Sequence, residues 1–167
     1  MFIRELGVFD TGKIPPKTKG NVPIYGGNGI MGFTDKANVE ENTIIIGRVG
    51  VQCGNVKIAK QKVFVSDNAL TFVVNKEFNP VYVYYILSAI DLNEYHTGSS
   101  QPLITQSIVG SLEIKNIPSI DNQNKIAKIL SSIDEQIERN NVMIQKIPFF
   151  NTTKYSVEII GGNRYES

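Results

Sequence analysis

The rhythm of apolar and polar positions changes once along this chain, at Pro118. Before it, short apolar runs are punctuated by glycine, proline and asparagine, the pattern of strands joined by turns. Residues 43–49, centred on Ile44, Ile45 and Ile46, form an apolar run of strand length. Residues 62–66 alternate, and residues 69–74 are a β-branched and aromatic run. Residues 111–117 alternate again, with Leu112 and Ile114 on one side. Between these, residues 80–90 predict a short helix, because Val83, Ile86, Leu87 and Ile90 share one helical face. Pro80 stands in its first turn, where a missing N–H costs nothing. There is no regular strand–helix–strand alternation, so the predicted class is α+β, rich in short strands.

After Pro118 the chain reads as one long helix. Residues 121–147 contain neither glycine nor proline, and Pro148 ends the run. Ile126, Leu130, Ile133, Ile137, Asn140, Ile144 and Ile147 follow one another at alternating spacings of four and three. That is a heptad seam with a single polar residue, Asn140, and Ile129 widens it on one flank. At ~1.5 Å per residue the helix is roughly 40 Å long. Lys125, Lys128, Glu135, Glu138 and Arg139 occupy the face suited to water. An amphipathic helix packed on its own domain gives a similar stripe. The length of the stripe and the polar residue on it favour pairing with another helix. The expected organisation is a domain over 1–120, a pairing helix over 121–148 and a tail over 149–167.

Composition narrows the classes of function. Hydrophobic residues make up 41% and charged residues 20%, which is globular. No run approaches the ~18 apolar residues of a membrane helix, and the start lacks a signal-peptide pattern. The expected compartment is therefore the cytoplasm, with no membrane partner. One cysteine (Cys53) and one histidine (His96) leave no material for an internal disulfide or a Cys/His metal site. Net charge is only +1, but residues 1–62 hold nine Lys/Arg against five Asp/Glu. A polyanion should meet the N-terminal third.

No catalytic constellation is complete. Gly26-Gly27-Asn28-Gly29 lacks the Gly-Lys-Ser/Thr ending of a phosphate loop. Residues 27–32 fit G-x-G-x-x-G by letter, but no helix follows to aim amides at a pyrophosphate, so a turn between strands is expected. Asn79-Pro80-Val81-Tyr82 approximates an amino-methyltransferase signature, without the S-adenosylmethionine domain that chemistry needs. Glu113 and Lys115 on one strand face would need a partner such as Asp91 to hold Mg²⁺. His96 with Ser99 or Ser100 lacks an orienting carboxylate.

What recurs is a polar vocabulary on loops. Lys13, Lys17 and Lys19 surround Pro15-Pro16, Tyr25 and Asn28 sit in the glycine-rich stretch, and Arg48, Gln52 and Asn55 lie among Gly47, Gly50 and Gly54. Residues 95–102 add Ser99, Ser100 and Gln101. Lysines suit phosphates, while Arg, Asn and Gln can pair with base edges. Ordinary soluble loops use the same letters.

The arrangement resembles the specificity subunits of type I restriction-modification systems. Residues 25–33 (Tyr-Gly-Gly-Asn-Gly-Ile-Met-Gly-Phe) are similar to that family's Tyr-Gly-Ala-Asn-Gly-Ile-Ile-Gly-Tyr segment. The likeness continues through residues 45–50, 67–69, 97–102, 123–130 and 134–137 in the family's order. It implies a target recognition domain followed by a spacer helix, in a subunit that catalyses nothing and binds no cofactor. S-adenosylmethionine is used by the partner modification subunits, which methylate adenine, and a restriction subunit adds cleavage where one is encoded. The family usually has two recognition domains and two helices; this chain shows one of each. The resemblance therefore implies a homodimer, paired through the helix, that reads an interrupted palindrome in double-stranded DNA. The alternative is a truncated decoy or silent cassette that binds the modification subunit without reading DNA. Lys13, Lys17 and Lys19 are expected on phosphates. Tyr25, Asn28, Arg48, Asn55, Ser99, Ser100 and Gln101 are expected on DNA-facing loops. Base choice is expected in residues 17–21 and 52–63.

Overall fold

The computed structural model describes residues 1–98 and 101–146. The chain divides into a compact unit, Met1–Lys128, and a second that starts at Ile129. Seven strands form in the first: β1 (Gly7–Thr11), β2 (Val22–Gly26), β3 (Gly29–Thr34), β4 (Ile44–Gly47), β5 (Val56–Ile58), β6 (Phe64–Val65) and β7 (Ala69–Val74). Three helices follow: α1 (Pro80–Ala89), α2 (Gln106–Gly110) and α3 (Ile120–Lys146). The fold class is α+β, strand-rich, with a long helix after it.

The strands make two sheets. One, in the order β1-β7-β4-β5, is antiparallel throughout. The other, β3-β2-β6, joins an antiparallel hairpin to a short parallel pairing between β2 and β6. Alternation along β7 and β4 decides what each sheet face covers. Leu70, Phe72, Ile44 and Ile46 face the main core, with Val83 and Leu87 of α1, Ile3 and Leu6. Phe9 stacks on Phe72 with ring centroids 4.3 Å apart. Ile45 and Ala69 turn the other way, into a smaller core with Ala59, Val63 and Val65. The isoleucine run of β4 is therefore buried on both faces, which explains its unbroken apolar character.

Most of the expected helices and strands form, with instructive differences. The helix at residues 80–90 is α1; Asn79 caps it by accepting from the Tyr82 N–H at 2.9 Å, and Pro80 opens it. Residues 26–29 do form a turn between strands. The strand expected at 111–117 does not form. Its alternation is real, since Ile114 is buried and Glu113 and Lys115 are exposed. Only Glu113 forms a bridge, however, to Phe2, and Asn116 turns the backbone into the left-handed region at φ 57°. Ile3 N–H donates to Leu112 O at 2.9 Å and Ile114 N–H to Met1 O at 2.8 Å, so pairing with the first three residues stops after one bridge and no ladder extends along the segment. β1 and α2 were not expected. Thr105 caps α2 by accepting from the Ile108 N–H at 3.2 Å, a signal too short to stand out in sequence.

The long helix begins at Ile120, one position earlier than expected, and covers 27 of the described residues. Its first turns belong to the compact unit, where Ala127 joins the main core. Further along, Ile126, Ile129, Ile133, Ile137 and Ile144 are all exposed, and Leu130 is half-buried. Asn140 is exposed on the same seam, and Ile147 lies outside the described residues.

Candidate nucleic-acid interface

Backbone hydrogen bonds draw four loops together at one end of the two sheets. Arg48 N–H donates to Asn68 O at 2.9 Å, tying the end of β4 to the turn before β7. Ile104 N–H donates to Arg48 O at 2.8 Å and Gly50 N–H to Pro102 O at 3.0 Å, bringing in residues 102–104. Ser66 N–H donates to Tyr25 O at 2.8 Å, which brings in the β2–β3 hairpin.

Glycines allow this convergence. A Cβ on Gly47 would stand 2.2 Å from Gly27 O, so the end of β4 and the hairpin turn meet backbone to backbone. Gly29 completes the turn at φ 117°, where an L side chain is strained. The glycine-rich letters at 26–29 and 47–54 thus record close approach of main chains. Between the turn and the following loop opens a cleft of about 550 Å³, bordered by Asn28, Ile30, Met31, Val51, Gln52 and Asn68. Among the described residues no charged one lines it.

The expected site residues fall into separate groups. Asn28 and Arg48 belong to the loop cluster, and Gln101 is exposed beside Pro102 in it. Lys13 joins them: its N–H donates to Val65 O at 3.0 Å, and its carbonyl accepts from Asp67 N–H at 3.1 Å. Tyr25 is half-buried and packs against the smaller core, so it shapes the hairpin. Asn55 holds Gly47 N–H on its carbonyl at 2.8 Å and borders a different cleft of about 500 Å³, beside Asp91 and Asn93. Lys17 and Lys19 are exposed and flank Thr18, which is bound to Thr34 and Asp35 at the opposite end of the hairpin. At ~3.3 Å per residue along β3, that is some 15–20 Å from the turn. Ser99 and Ser100 lie outside the described residues.

Several supporting residues were not expected. Asn93 Nδ2 donates to Val51 O at 3.1 Å and Cys53 O at 2.8 Å, clamping the loop after β4. Asn38 pairs with the Val65 backbone in both directions, at 2.9 and 2.7 Å. Asparagines facing loop backbones leave no periodicity to read. Burial pushes the Cys53 thiol above its ordinary pKa, with the Asn93 amide acting the other way. The hydroxyl of Thr18 holds the Asp35 carboxylate below its usual range.

The remaining chemical candidates do structural work. Asp91 caps a 3₁₀ turn by accepting from Asn93 N–H at 3.2 Å, and Glu113 faces the Met1 amine at 3.8 Å. They do not share a site. His96 is exposed, with Nδ1 2.5 Å from Asn93 O. Among the described residues no group of three His, Cys, Asp or Glu could hold a metal ion, and no helix is long and apolar enough to cross a membrane.

The model of the type I restriction modification DNA specificity domain matches residues 1–148. The chain belongs to that family. It is 33% identical over 112 residues to the type I restriction enzyme EcoprrI specificity subunit of Escherichia coli, covering 67% of this chain and 28% of the relative. To a putative type I specificity subunit of Mycoplasma pneumoniae it is 31% identical over 124 residues, covering 72% and 33% respectively. The chain thus spans a third or less of these curated relatives. A crystal structure of the type I system S subunit from M. genitalium superposes with a TM-score of 0.74 at 25% identity, over 87% of this chain and 41% of that one. The HsdS subunit from Thermoanaerobacter tengcongensis shares the fold, with a TM-score of 0.60 at 15% identity, over 83% and 38%. Type I specificity subunits are DNA-recognition components without catalytic function. Of the stretches that resemble the specificity family, 25–33, 45–50, 67–69 and the described part of 97–102 meet in this loop cluster, while 123–130 and 134–137 lie on α3.

Proposed function

We propose that this chain is a DNA-reading unit that directs adenine methylation by type I modification subunits at one half of a split site, with cleavage where a restriction subunit is present. The observation that carries the reading is the convergence of four family-like loops, bearing Asn28, Arg48, Asn68 and Gln101, with Lys13 tied beside them, at one end of a domain otherwise devoted to its cores. Lys13 grips phosphate, and the loops set the register from which neighbouring side chains read bases. Glycine-built backbone contacts hold these loops, so they meet DNA preformed and little ordering cost opposes binding.

The exposed Ile126, Ile133, Ile137 and Ile144 stripe of α3 takes a second copy as its partner. Asn140 of each copy then lies on the seam and favours one register, as a lone polar seam residue does. Twofold pairing of identical readers makes the site an interrupted palindrome, its gap measured by the helices.

The test is selection from randomised duplex DNA by the purified complex of this chain with its modification subunit. The expected product is a split palindrome. The chain alone, with net charge +1, should hold the same duplex weakly at ~0.15 M salt. A stable complex that enriches no sequence would contradict the reading and point to a decoy.

A further inference from the structure

We infer that Gln123 is the positioning residue that fixes how α3 leaves the recognition domain, and thereby the gap lengths the protein accepts. The inference rests on the function proposed above.

Gln123 is a helix residue with 2% exposure, a costly place for a carboxamide unless both its ends are bound. Both are. Oε1 accepts from Asn79 N–H at 2.9 Å, and Nε2 donates to Pro118 O at 2.9 Å. Its own N–H makes the early helical bond to Ser119 O at 2.9 Å. One side chain therefore joins the residue that caps α1, the segment leading into α3, and α3 itself. One residue further on, Asn79 Nδ2 donates to Asn124 Oδ1 at 2.7 Å. Asn79 thus caps α1 with its own Oδ1 while its N–H and its Nδ2 are both held by α3.

Apolar packing could have seated this helix, and Ala127 contributes some. Small apolar contacts slide, however, whereas a carboxamide bound at both ends fixes both rotation and direction. The geometry magnifies any looseness. From Gln123 the helix extends for ~35 Å, so a ~10° change of direction at its root moves the far end by ~6 Å, nearly two base pairs at 3.4 Å each. A pin at the root is where spacing is most economically held.

The test uses the full chain with its modification subunit, on duplexes carrying its selected half-sites at gaps one and two base pairs shorter and longer. The unsubstituted complex should prefer one gap about ten-fold over its neighbours. Gln123→Met, equal in length but unable to bond either partner, should bring neighbouring gaps within about three-fold of the best, the loss expected from one or two hydrogen bonds. The half-site bases should stay the same. A purely structural role would scale every gap alike, and that result overturns the inference. If Gln123→Met does not fold, Asn124→Ala removes only an exposed bond to Asn79, and it should broaden the gap profile to a smaller degree. An unchanged profile there also overturns the inference. Failure of the functional reading itself looks different: the unsubstituted complex would select no split site.

Discussion

Helices α1 and α3 complete their burial in opposite ways. In α1, Tyr82, Val83 and Leu87 are buried, and Val81, Tyr84 and Ile86 pack against the same core. Its apolar face is covered by its own domain, and only Ser88 and Ala89 near its end are exposed. In α3 only Gln123 and Ala127 are buried, and an Ile stripe more than 20 Å long at ~1.5 Å per residue stays open to water. Exposed isoleucines are ordinary one at a time; a row of them at heptad spacing is the pattern on which the proposed pairing rests. The two helices thus differ in how much of their apolar surface their own domain covers.

Disturbing either side of this contrast should give distinct results. The largest effect is expected from Ile137→Asp, which places a charge on each side of the proposed seam. Self-association in sedimentation should weaken by about a hundred-fold or more, since burying an unpaired carboxylate costs several kcal/mol. Stability of the separate chain should hardly change, because Ile137 is already 52% exposed. The mirror case is Phe72→Ala, inside the compact unit. With Phe72 fully buried and stacked on Phe9, urea unfolding should show a loss of about 3–5 kcal/mol, independent of protein concentration.

Gly47→Ala probes the loop cluster. Its new methyl would press on Gly27 O, costing about 1–3 kcal/mol in urea unfolding and abolishing site selection, while helix pairing persists. The smallest effect belongs to Glu135→Gln. Glu135 meets Arg139 at 3.7 Å on the watery face of α3, with both side chains more than 60% exposed. Thermal unfolding should register a change under about 0.5 kcal/mol.

Sequence periodicity revealed the parts of this fold that are periodic. β4, β7, α1 and α3 are long enough, or uniform enough, for their patterns to stand out. β1 and α2 span five residues each and are set by their surroundings, β1 by antiparallel pairing along β7 and α2 by Thr105 capping a single turn. Residues 111–117 show the converse, a strand-like alternation that finds no partner strand. In the candidate site, the motif letters located the loops, because close backbone approach demands glycine at Gly47. They did not separate Lys13, which joins the cluster, from Lys17 and Lys19, which sit at the far end of a hairpin. The roles of Gln123 and Asn93 depend on segments distant in the chain meeting in space, which no local pattern encodes.

The most direct test of the central claim is a methylome. This chain is expressed with the modification subunit that accompanies it, the modification subunit alone serves as control, and host DNA is sequenced for N6-methyladenine. A new split palindrome, absent from the control, is the predicted result, with the gap giving the span set by paired α3 helices. A split site with unlike halves would contradict pairing of identical copies, and a stable complex that methylates no sequence would contradict DNA reading altogether.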